Sequence, residues 1–158
     1  HVRTDAKNLS MFSDNSVELV YASALFQYFD YYEGAKALKE WFRVLKPGGI
    51  LRISTVDFDK LLEVYQKSDK KIDSIIGPLY GRMEVDAITG EKCLINHKTV
   101  YTQEKLKESI IAAGFQAIAP YRWEELVHAG YDDQSQAYYP HMEKESGIHI
   151  MINWEVIK

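Results

Sequence analysis

The chain has 158 residues, 46 % hydrophobic and 27 % charged, the composition of an ordinary globular domain large enough to bury a core. Nineteen Lys and Arg against 23 Asp and Glu give a net charge of −4, so no nucleic acid is expected as the main partner. No apolar run reaches the length of a membrane span, which removes the membrane as a partner, and the one cysteine, Cys93, excludes an internal disulfide framework and fits a reducing, cytoplasmic setting.

Residues 1–12 read as the end of a short strand followed by a loop, and SDNS at 13–16 marks a turn. VELVYAS at 17–23 is short and β-branched, the pattern of a strand buried on most of its surface. An aromatic stretch at 24–34 leads into a helix on which Ala35, Leu38, Trp41, Phe42 and Leu45 share one face. Arg43 and Lys46 suit its last turn, Pro47 cannot continue it, and Gly48 or Gly49 is expected to close it in a left-handed conformation. ILRISTV at 50–56 reads as a second buried strand. Asp57 then caps a helix bearing Phe58, Leu61, Leu62 and Tyr65. A third unit spans 75–101, with a turn at 89–92. Thr102 starts a helix carrying Leu106, Ile110, Ile111 and Ala113, and Gly114 ends it. Residues 115–123 and 148–157 are the last strands, and because a loop joins them they are expected to pair antiparallel. The expected fold is a single α/β domain over 1–158, with a mostly parallel sheet, an antiparallel final strand and helices on both faces.

In open α/β sheets ligands bind beyond the carboxyl ends of the strands. That places the expected site at the loop around Asp5, the segment after Ser23 and the segment after Val56. The LKPGG turn at 45–49 lies at the opposite end of its strand and shapes the fold without touching ligand.

TDAKNLSMFSDNSVELVYAS at 4–23, a helix, and then LKPGGILRIS at 45–54 resemble the middle of a class I S-adenosylmethionine-dependent methyltransferase of the type 11-like kind. HKTVYTQEKLKESIIAAGF at 97–115 resembles the segment that leads into the sixth strand of that family. DDQSQAYYPHM at 132–142 with the closing strand is similar to a subgroup of small methyltransferases. The resemblance implies a Rossmann-like sheet and S-adenosyl-L-methionine as cofactor. It implies that Asp5 accepts a hydrogen bond from the adenine amino group and that the Ala6 N–H faces an adenine ring nitrogen. An Asp5 that only hydrogen-bonds its own loop is the open alternative. Ser23, Ala24 and Leu25 match the stretch beside the methionine end of the cofactor and the substrate.

Where relatives carry an acidic residue and a histidine, this chain has Gln27 and Tyr28, neither a good general base near neutral pH. Tyr28 and His97 are the candidate catalytic residues. His97 is chosen for an ordinary pKa near neutrality, against the alternative that it only hydrogen-bonds loop backbone. Phe26, Tyr28, Phe29, Tyr31 and Tyr32 either wall a substrate pocket or pack the entrance of the helix. Trp41 is expected in the core. His128, His141, Asp132, Asp133 and Glu143 lack metal-ligand spacing, so no metal is expected, and Cys93 has no activating neighbour.

The family's glycine-rich first turn has no counterpart, since no G-x-G occurs in the chain. The expectation is a domain truncated at its N-terminus, with the N-terminal strands of the sheet missing. The edge of strand 17–23 would then be bare or paired with a second copy in a homodimer. Two functions follow. One is methyl transfer to a small-molecule or glycan-type acceptor; the other is a non-catalytic module on a degenerate methyltransferase fold.

Overall fold

A computed structural model describes residues 4–87, 89–127, 129–131 and 133–158. Strand β1 (Val17–Ser23) enters a short 3-10 turn at Phe26–Tyr28, and helix α1 (Tyr31–Val44) follows. A reciprocal pair starts that helix: Glu33 N donates to Asp30 Oδ1 at 2.8 Å and Asp30 N donates to Glu33 Oε2 at 3.1 Å.

Strand β2 (Leu45–Val56) begins five residues before the expected start at Ile50. Leu45 is already extended (φ −65°, ψ 139°), so Leu45 and Lys46 open the strand instead of closing the helix. Pro47 accounts for Lys46, because the residue before a proline is pushed out of the helical region. Gly48, at φ +76°, therefore forms an irregularity inside β2, between the pairs Val17↔Leu45 and Leu19↔Ile50. Gly48 N donates to Lys158 O and Lys158 N to Gly49 O, which ties this bulge to the last residue.

Helix α2 (Phe58–Lys67) is capped by Asp57, which accepts from the amides of Asp59 and Lys60. Helix α3 (Ile76–Tyr80) leads to the antiparallel hairpin of β3 (Met83–Asp86) and β4 (Lys92–Ile95). Helix α4 (Gln103–Ala112) is capped by Thr102 and ends at Gly114, whose φ of +104° only glycine adopts without strain. Strand β5 (Gln116–Pro120), the two-residue strands β6 (Tyr138–Tyr139) and β7 (Ile148–His149), and β8 (Met151–Ile157) complete the chain.

The main sheet has the order β1-β2-β8-β5. β1 and β2 are parallel, and β8 runs antiparallel to both β2 and β5, as the loop connection led us to expect. Register puts Ala22, Ile53 and Trp154 in one row and Ser23, Ser54 and Asn153 in the next. Rows alternate between faces. The first row joins Leu38 and Trp41 of α1 and Leu106 and Ile110 of α4 in the main core. Val56 and Met151, on the opposite face, pack with Leu61 and Val64 of α2, so helices cover both faces. The carboxyl ends of β1 and β2 and the amino end of β8 thus share one edge of the sheet. Among the described residues β1 pairs only with β2, and no helix is long and apolar enough to cross a membrane.

Candidate functional site

The loop at 4–14 is fastened along α1. Buried Trp41 donates its Nε1–H to Ala6 O at 2.8 Å, and Leu9 N donates to Glu40 Oε1 at 2.8 Å. Arg43 donates to Phe12 O and Leu9 O while paired with Glu40 and Asp14. Helix positions one turn apart thereby hold a loop that has little structure of its own. At its tip, Asp5 Oδ1 accepts from Lys7 N at 2.9 Å, the local bond that the alternative reading expected. Among the described residues its other oxygen meets only the Lys7 ammonium, at 3.9 Å, and the residue is exposed. The Ala6 carbonyl is pinned by Trp41, and no bond of the Ala6 amide is found among the described residues. One carboxylate oxygen and one amide N–H of adjacent residues are thus left without a close protein partner among the described residues. An aminopurine ring needs that acceptor and that donor, so these residues fit an adenine.

Ser23, Ala24 and Leu25 turn the chain from β1 towards α1. Ala24 sits in the left-handed region (φ +48°), where its amide donates to Ser54 O at 2.9 Å. The Ser23 hydroxyl is engaged, donating to Asp133 Oδ1 at 3.0 Å and accepting from Ser135 N at 3.1 Å. Gln27 is buried, with Oε1 accepting from Thr55 Oγ1 at 3.0 Å and its carbonyl accepting from the amides of Lys98 and Thr99. It joins three segments. The aromatic stretch divides: Phe26 and Phe29 are buried against Trp41, while Tyr32 is almost fully exposed and lines a groove between α1 and α4 with Tyr31.

Tyr28 and His97 meet edge to face, with ring centres 4.7 Å apart. His97 Nδ1 lies 2.8 Å from Pro78 O. A carbonyl only accepts, so Nδ1 carries the proton and the neutral ring keeps its lone pair on Nε2. That nitrogen packs on Gly81, where a Cβ would overlap it. Burial lowers the His97 pKa, so the ring is neutral at pH 7, and burial raises that of Tyr28, which stays a phenol and a donor. At the third place, after Val56, the Asp57 carboxylate is spent on the α2 cap and on Gln103 Nε2 at 3.3 Å.

Glu33 links the halves of the site. Its Oε1 accepts from Lys7 Nζ at 2.8 Å, beside Asp5, and its Oε2 accepts from Lys98 Nζ at 2.7 Å, beside His97. The Lys7 hydrogen bond, followed by that from Lys98, holds its pKa down to about 2. A carboxyl depressed on folding stabilises the fold above its unfolded pKa, about 4.3, and loses that contribution as pH falls towards the folded value. Glu33→Gln should therefore lower the stability above about pH 5, by roughly 1 kcal/mol at most for such partly exposed pairs, and the thermal midpoint with it. The gap to wild type should close between about pH 4 and pH 2 in a pH series of melting curves.

Sequence reading did not find the fastening role of Glu40, Trp41 and Arg43, the bridge at Glu33, or the partners of Ser23. The Asp30–Glu33 spacing was a local signal for the cap. Apart from the Arg43–Glu40 pair, the other contacts join residues more than 25 positions apart. His128 and Asp132 lie outside the described residues, and among these no group of three His, Cys, Asp or Glu could hold a metal.

Residues 1–53 match a family model described as a methyltransferase domain. No curated protein matches the chain. A SAM-dependent methyltransferase of Methanosarcina mazei superposes with a TM-score of 0.50 at 24 % identity, over 98 % of this chain and 63 % of that one. One from Thermotoga maritima gives 0.52 at 20 % identity, over 99 % and 61 %. The 1,6-didemethyltoxoflavin-N1-methyltransferase of Burkholderia thailandensis, solved with 1,6-didemethyltoxoflavin and S-adenosylhomocysteine, gives 0.54 at 12 % identity, over 99 % and 49 %. The chain thus spans less than two thirds of each. At such identities the likeness shows the fold, which is that of the SAM-dependent methyltransferases.

Proposed function

We propose that this chain works in a S-adenosylmethionine-dependent methyltransferase, binding the adenine end of the cofactor and presenting a small-molecule or glycan-type acceptor to its methyl group. The observation that supports this is the α1-fastened loop, in which Trp41 pins the Ala6 carbonyl and Lys7 N holds one oxygen of the exposed Asp5 carboxylate. Asp5 Oδ2 accepts from the adenine amino group and the Ala6 N–H donates to a ring nitrogen. The backbone of Ser23, Ala24 and Leu25 backs the methionine end, the Ser23 hydroxyl being committed elsewhere. The bound cofactor supplies a methyl group already activated on a sulfonium, so most of what the protein adds is alignment. Tyr28 orients the acceptor by donating its phenol proton. His97 Nε2, with its tautomer set by Pro78, is the group able to take a proton from the acceptor.

Calorimetric titration with S-adenosylhomocysteine tests this reading. Binding in the micromolar range, about −8 kcal/mol, is expected. Asp5→Ala should weaken it about tenfold, or about 1.4 kcal/mol. Asp5→Asn keeps an acceptor for Lys7 N but can turn an amide donor towards the adenine amine, so it should weaken binding as much. Wild-type affinity in Asp5→Asn would remove the adenine assignment. A folded chain that gives no heat would overturn the proposal for these residues.

A further inference from the structure

Residues 133–142, from the DDQSQAYYPHM segment singled out in the sequence, form a strap over the same edge of the sheet. Asp133 Oδ2 accepts from the Tyr21 hydroxyl at 2.5 Å, and Oδ1 accepts from Ser23 Oγ at 3.0 Å and from Ser135 N at 2.7 Å. Ser135 is fully buried, and its carbonyl accepts from Asn153 Nδ2 at 2.9 Å and His149 Nε2 at 2.8 Å. Gln136, also buried, donates to Tyr131 O and accepts from Lys144 Nζ. Ile150 N donates to Ala137 O, and Ala137 and Tyr139 pack in the same cluster as Ala24. One end of the strap is therefore anchored on β8 and the other grips the carboxyl end of β1.

What it grips is the residue before Ala24. A left-handed alanine costs about 1–2 kcal/mol and persists only where its surroundings fix it. The Ala24 amide is held by Ser54 O, and the preceding Ser23 side chain is held from both sides by Asp133 and the Ser135 amide. We propose that Asp133 is a positioning residue: by clamping Ser23 it sets the shape in which the Ser23–Leu25 turn receives the methionine end of the cofactor. This rests on the cofactor reading above. It also gives the buried network a purpose beyond securing the loop. A lock that merely secured the 126–147 loop would change stability and leave cofactor affinity alone.

The test combines S-adenosylhomocysteine affinity with the amide NMR signals of Ala24 and Leu25. Asp133→Asn should lower affinity about tenfold and move both signals. Ser23→Ala should do likewise, and the double variant should lose no more than either single one, because the two act as a unit. Lys144→Ala, which loosens the strap away from β1, should leave affinity and signals unchanged. Unchanged affinity and signals in Asp133→Asn would overturn the proposal. Should that variant not fold, Tyr21→Phe removes one donor to the same carboxylate and is expected to give about a threefold loss; no change there would overturn it equally. A folded wild type that does not bind overturns the cofactor reading and the purpose assigned here, and the amide signals then decide alone whether Asp133 holds the turn.

Discussion

Trp41→Ala is expected to destabilise the chain by about 3–5 kcal/mol, the usual cost of truncating a large buried aromatic. Trp41 is 2 % exposed and packs with Phe26 and Phe29 under α1, at ring separations of 5.9 and 6.4 Å. The same side chain holds the Ala6 carbonyl through Nε1, so the substitution also frees the tip of the adenine loop. Trp41→Phe separates these contributions. It keeps much of the packing, removes the hydrogen bond, and should add about 1 kcal/mol for that loss. Denaturant unfolding measures the first effect and S-adenosylhomocysteine titration the second. A phenylalanine variant with wild-type affinity would mean that Glu40 and Arg43 hold the loop without help from the indole.

Trp41 also shows which parts of this molecule its sequence discloses. Its place in the core follows from its spacing with Leu38, because burial on a helix is periodic, although Ala35 of the same expected face is exposed and Gly34, Ala37 and Val44 are buried with Leu38 and Trp41. Its bond to Ala6 follows from no spacing, since the partner lies 35 residues earlier and is reached only when the chain has folded back on itself. The same limit applies at Ser23. Its position at the end of a short apolar run marks the carboxyl end of a strand, although that strand buries only Ala22, and the bond from its hydroxyl to Asp133 under the strap follows from no local pattern. At Lys-Pro-Gly-Gly, two local signals compete. Glycine advertises a left-handed helix stop, while proline forbids the helix one residue earlier, and the proline constraint wins because it is steric. Antiparallel pairing of β5 with β8 was legible because a loop without a crossover helix leaves no other simple arrangement.

Gln27 carries the second large effect, and it decides between structure and chemistry at a buried polar side chain two residues beyond the Ser23–Leu25 turn. Gln27→Leu is expected to cost about 1–3 kcal/mol, because it leaves the hydroxyl of fully buried Thr55 without its acceptor. The backbone bonds from Lys98 and Thr99 to the Gln27 carbonyl are untouched by this change. Removing both polar partners of a buried pair by apolar groups of similar shape is close to neutral. Gln27→Leu combined with Thr55→Val should therefore recover most of the lost stability in denaturant unfolding. If Gln27 is purely a joint between the turn, β2 and the 98–99 segment, the double variant should also bind S-adenosylhomocysteine as the wild type does. A stable double variant with weakened binding would instead put the Gln27 amide in the site. The turn at Ser23–Tyr28 would then have to open towards the cofactor, with Thr55 exchanged for ligand as its hydrogen-bond partner.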